Sequence, residues 1–81
     1  MDLSDTKEVA VRFNKARSTV YRWLDDGLLP PRVQWGWPNT ELDTIEQAMV
    51  AGFDEDGIRQ IVRRIVANRA DTQAQFLAEL G

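Results

Sequence analysis

The sequence predicts a single, mainly α-helical domain: two short helices joined by a tight turn, a very small β-hairpin, then helices to the end. Three observations predict it. Eighty-one residues are enough for one modest core and no more. Apolar residues recur at helical spacing, most cleanly at Ile58, Ile61, Val62, Ile65 and Val66. The residues that end or turn helices, Asn14, Gly27, Pro30, Pro31, Gly36 and Gly52, fall between the apolar runs.

The first helix is expected over Thr6 to Phe13, capped by Asp5 or Ser4, with Val9, Ala10 and Phe13 on its buried face. Asn14 tolerates the left-handed conformation that a tight inter-helix turn needs. The second helix is expected over residues 17–26, with Val20, Trp23 and Leu24 inward and Gly27 as its stop. Residues 28–38, with two prolines and two tryptophans before Pro38, read as an extended segment with a small hairpin around Gly36. A third helix is expected to begin near Thr40, where Thr40-Glu41-Leu42-Asp43 resembles a capping box with Asp in the usual Glu position. Leu42, Ile45, Ala48 and Met49 form its apolar stripe, and Gly52 ends it. The fourth begins at an Asp54 cap, with Glu55 and Asp56 at the positive end of its dipole and Phe53 placed to staple onto Ile58. A short last helix is expected after Asp71, with Phe76, Leu77 and Leu80 as its apolar residues.

Composition removes several function classes. With no cysteine and no histidine there are no disulfides, no thiolate chemistry, no usual zinc ligands and no Ser-His or Cys-His nucleophile. Asp25-Asp26 and Asp54-Glu55-Asp56 lack the ligand ladder of a calcium loop, and capping accounts for the second cluster. No enzyme, cofactor or metal is expected. No apolar run approaches the roughly 20 residues of a membrane span, and the acidic start is unlike a signal peptide. A cytoplasmic location is expected.

The net charge of −3 argues against a nonspecific nucleic-acid coat, but its distribution is uneven. Residues 1–37 hold six cations against five acids, and residues 38–81 hold four against eight. Between Arg12 and Leu24 lie four cations, Arg12, Lys15, Arg17 and Arg22, and no acid. On a helix, Arg17, Ser18, Thr19, Tyr21 and Arg22 fall opposite the apolar residues. That division suits the second helix of a helix-turn-helix laid in a DNA major groove.

Ser18-Thr19-Val20-Tyr21-Arg22-Trp23, then Gly27, Pro30 and Pro31, then Gly36-Trp37 with Thr40-Glu41-Leu42, resembles the AlpA-type phage regulators and excisionases. Gly27-Leu28-Leu29-Pro30-Pro31 and Gly52-Phe53-Asp54-Glu55-Asp56-Gly57-Ile58-Arg59 are similar to the DNA-binding domain of MerR-type regulators. The resemblance spans roughly residues 5–66. It implies a winged helix-turn-helix, with the helix-turn-helix over residues 5–27, a rudimentary wing over 28–38 and C-terminal helices over 40–80. It also implies transcription regulation or excision in a phage or mobile element, by sequence-specific binding of double-stranded DNA through the helix at residues 17–26. Departures are Ala16 in place of a capping serine, Lys15 in place of an apolar turn residue, and a short wing without a basic tip.

The expected DNA-binding residues are Arg12, Lys15, Arg17, Ser18, Thr19, Tyr21, Arg22 and Arg32. Arginine pairs bidentately with guanine, and hydroxyls at a helix start suit phosphate. For Arg12, Lys15 and Arg32 a solvated surface charge is an equal reading. Trp37 is expected in the core, and Trp35 is open between core and surface. Arg59 is expected to pair with Glu55, four residues earlier, and Arg63 and Arg64 to be solvated. A homodimer or adjacent copies would add the specificity a single small module lacks. An integrase or RNA polymerase is the protein partner the resemblance implies. The rival reading is a protein-binding modulator that shares the MerR-like fold without binding DNA.

Overall fold

The computed structural model describes the backbone of residues 3–80 and the side chains of residues 3–70. The elements run β1 (Leu3–Ser4), α1 (Thr6–Phe13), α2 (Arg17–Asp25), β2 (Trp37–Pro38), α3 (Asn39–Val50) and α4 (Glu55–Leu80). The fold is mainly α, with one two-stranded antiparallel sheet that pairs Leu3 with Pro38 and Ser4 with Trp37.

Local chemistry sets most boundaries. Asp5 and Glu8 form a reciprocal capping box at the start of α1, Asp5 Oδ1 accepting from the Glu8 N–H at 2.8 Å. The first three helices end alike. Lys15 N–H donates to the Ala10 carbonyl, Leu28 N–H to Trp23 and Phe53 N–H to Ala48, each bond closing over a residue with positive φ. Those residues are Asn14 (55°), Gly27 (79°) and Gly52 (90°), the arrangement of a Schellman stop. At α4, Asp54 Oδ1 accepts from the Gly57 N–H at 2.8 Å.

The structure corrects two sequence expectations. Helix α3 starts at Asn39, near Thr40 as expected, but Thr40 does not cap it: Pro38 stands at the N-cap with no side-chain hydrogen bond. Thr40 lies inside the first turn, and its carbonyl accepts a hydrogen bond from Thr44 Oγ1. Tertiary contacts make this start: Pro38 is held in the sheet, and Ser4 Oγ bonds to Asn39 Oδ1. There is also no separate last helix, because α4 runs unbroken through Asp71 to Leu80. The expected apolar contacts of Phe76, Leu77 and Leu80 lie outside the described side chains.

The core brings together Val9 and Ala10 of α1, Val20 of α2, Leu28, Leu29 and Trp37 from the connecting segment, Leu42, Ile45 and Ala48 of α3, and Ile58 and Val62 of α4. Phe13 and Trp23 meet edge to face at 5.6 Å between ring centroids, which fixes α1 against α2. Trp37 is fully buried, and its Nε1–H donates to the Pro30 carbonyl at 2.6 Å. The bond satisfies the one polar atom of the indole.

The expected hairpin is a two-residue turn. Val33 and Gly36 bridge each other, and Gln34 and Trp35 form the tip, with Gln34 at φ 56°. Gly36 is needed there because a Cβ would stand 2.4 Å from the Ser4 carbonyl oxygen. The turn is thus pressed onto β1.

Candidate nucleic-acid interface

Helix α2 turns one face to the core and one to solvent. Val20 is buried, and Trp23 and Leu24 are half-buried. Arg17, Ser18, Tyr21, Arg22 and Asp25 form the exposed stripe at the spacing of a single helical face, with Tyr21 49% exposed. Thr19 sits half-buried at the boundary of the two faces. The stripe is polarised, since its first two turns carry Arg17 and Arg22 while Asp25 and Asp26 close it. Lys15 is exposed in the turn just before it. Ala16 stands at the N-cap with no side-chain hydrogen bond, so the first N–H groups of α2 have no capping acceptor.

The basic residues divide into those that hold the fold together and those that do not. Arg12 Nη1 bonds Asp43 at 2.8 Å and Glu46 at 2.6 Å, joining α1 to α3. Burial disfavours its charged form, but the hydrogen bonds and negative charge of the two acids outweigh that and raise its pKa. Its contribution to stability is therefore present through the neutral range and lost only as pH rises through that raised pKa. Arg69 bonds both oxygens of Glu41 and donates to the Pro31 carbonyl, joining α4 to α3 and to the connecting segment. Arg59 pairs with Glu55, as its spacing predicts, and with Asp56, and it also donates to the Asp26 carbonyl. Among the described residues, Lys15, Arg17, Arg22, Arg32, Arg63 and Arg64 are in no ion pair.

The structure therefore separates Arg12 from the other expected DNA-binding residues, because its guanidinium is committed to two carboxylates of α3. Lys15, Arg17, Ser18, Tyr21 and Arg22 lie together along the exposed face of α2 and the turn before it. Arg32 is exposed but lies by the other end of α2, in an open groove lined by Leu24, Asp25, Asp26, Leu29, Val62 and Arg63. Sequence periodicity gave no sign that Arg63 of α4 shares that groove, nor that Arg59 reaches the end of α2. Trp35 is 55% exposed at the tip of its turn. Among the described residues no cluster of metal-ligating side chains occurs and no helix is long and apolar enough to cross a membrane. No protein-family model, curated protein or solved structure matches the chain.

Proposed function

We propose that the protein is a sequence-specific duplex DNA-binding protein of winged helix-turn-helix type, with α2 as the helix laid in the major groove. One observation carries this reading: the exposed stripe of α2 presents Arg17, Ser18, Tyr21 and Arg22 without ion-pair partners among the described residues, while Arg12, Arg59 and Arg69 are bound to the fold. The order of charges along α2 fits, because Arg17 and Arg22 precede Asp25 and Asp26, which keeps the acids to the end of the helix. Arg22 is assigned to base edges, and Lys15, Arg17 and Ser18 to phosphate beside the uncapped helix start. The resemblance to AlpA-type and MerR-type regulators supports the same assignment. It extends it to transcription regulation or excision beside an RNA polymerase or integrase, and hence to a cytoplasmic location.

Selection from random duplex DNA at near-physiological salt tests the reading, run beside an Arg17→Ala/Arg22→Ala double variant. A motif enriched by the wild type and lost by the folded variant is the expected result. A wild type that enriches nothing overturns it. A second reading, a protein-binding module, draws on the exposed Trp35 and the apolar floor of the groove. Binding to such a partner would be nearly indifferent to salt, whereas phosphate contacts weaken steeply with it.

A further inference from the structure

We infer that Arg59 is a positioning residue for the DNA-reading face: it acts from α4, without touching DNA, by holding the C-terminal end of α2. The inference rests on the reading of α2 given above. Its basis is the hydrogen bond from Arg59 Nε to the Asp26 carbonyl, 2.8 Å long and 33 residues distant in sequence. That carbonyl belongs to the residue that caps α2. The guanidinium is itself aimed. Nη1 bonds Asp56 at 3.0 Å and Nη2 bonds Glu55 at 3.3 Å, so two carboxylates one turn back on α4 leave Nε facing α2. All three residues stand on the first two turns of α4, whose start Asp54 caps.

The opposite end of α2 is set by the Asn14 turn, while in the last turn Trp23 packs on Phe13 and Arg59 adds the polar tie at the cap. Its far end leads into the connecting segment through Gly27, where φ is 79° and the chain reverses. Arg59 is the side-chain hydrogen bond that ties this end to another helix among the described residues. A cation there also faces the negative end of the α2 dipole. Base reading needs side chains held within about half an ångström and 10–20° of their productive geometry. A small tilt of α2 about its fixed start would displace Arg22 from a base edge more than it would displace Lys15 from a phosphate, which accepts a point charge from many directions.

Arg59→Met keeps the aliphatic stem and removes the donors. Its affinity for the selected motif should fall about tenfold, as for one lost charge-assisted hydrogen bond, while its affinity for random duplex changes less than about twofold. The salt slope should be unchanged, since no phosphate contact is lost. Glu55→Gln/Asp56→Asn should shift the motif-to-random ratio in the same direction, and Arg59→Lys should restore part of it. A wild-type motif affinity in Arg59→Met overturns the inference, as does a salt slope reduced by about one unit, which marks a direct phosphate contact. Equal loss on motif and random DNA with a falling Tm overturns it in favour of a merely structural role. A wild type that selects no motif overturns the DNA reading itself, and this inference with it.

Discussion

At Ala16 folding and the proposed DNA binding make opposite demands. A serine or aspartate there would accept from the free N–H groups of α2 and stabilise the chain by about 1 kcal/mol. Alanine leaves those donors open to a phosphate instead. Ala16→Ser and Ala16→Asp should therefore both raise Tm by several degrees, as about 1 kcal/mol does in a domain of this size. Only Ala16→Asp, which puts a negative charge at the helix start, should weaken DNA binding strongly. Thermal melts and DNA titrations of the two variants decide it, and full affinity in Ala16→Asp would remove the phosphate from this site. Arg22→Ala should relax base preference by about 1–3 kcal/mol; an unchanged selected motif would take Arg22 off the base edge. Arg12 and Arg22 look alike in the sequence, each a cation beside apolar helix positions. What separates them is Asp43 and Glu46, more than 30 residues away from Arg12 in the chain, and no local pattern shows that pairing. The pair is half-exposed, so Arg12→Ala should cost only about 1 kcal/mol or less.

The elements were legible where a residue's own conformational preference decides. Asn14, Gly27 and Gly52 mark the ends of three helices because the left-handed conformation is cheap only for such residues. Asp5 and Asp54 mark two starts because their carboxylates reach N–H groups three residues on. The cap of α3 is not legible locally, because sheet pairing and the Ser4–Asn39 contact outweigh the preference of Thr40 to cap. The break expected at Asp71 does not occur because aspartate costs at most about 0.7 kcal/mol in a helix interior, too little to stop one already formed. Strand β1 is only two residues long, and its partner lies beyond both α1 and α2, so it left no periodic trace. Its packing makes a sharp prediction. A Cβ at Gly36 would lie 2.4 Å from the Ser4 carbonyl oxygen, so Gly36→Ala should destabilise the protein by about 1–3 kcal/mol through overpacking. Denaturant unfolding measures it, and a loss below about 0.5 kcal/mol, the scale of an ordinary surface change, would mean that β1 does not press on this turn.

On the proposed reading, the charge arrangement of the whole molecule has to let an acidic protein dock on a polyanion. Glu41, Asp43, Glu46, Glu55 and Asp56 are each paired with an arginine of the fold, which offsets their charge locally. Among the described residues of α2 and its C-cap, Asp25 and Asp26 are the acids, and they stand at its far end from Arg17. This arrangement limits how strongly binding can depend on salt. With Arg22 on a base edge, Lys15, Arg17 and Arg32 remain for phosphates, so the slope of log K against log salt should be about −3 per protein bound, at about 0.9 per phosphate. Lys15→Ala should reduce its magnitude by about one, and Arg12→Ala should leave it unchanged because that charge is already spent on Asp43 and Glu46. Titrations of the selected duplex between low and near-physiological salt give all three slopes. A steeper slope in the wild type would mean that Arg63 and Arg64 also reach the backbone, or that two copies bind together. A slope lowered by Arg12→Ala would return Arg12 to the interface and break the division of the arginines on which the reading of α2 stands.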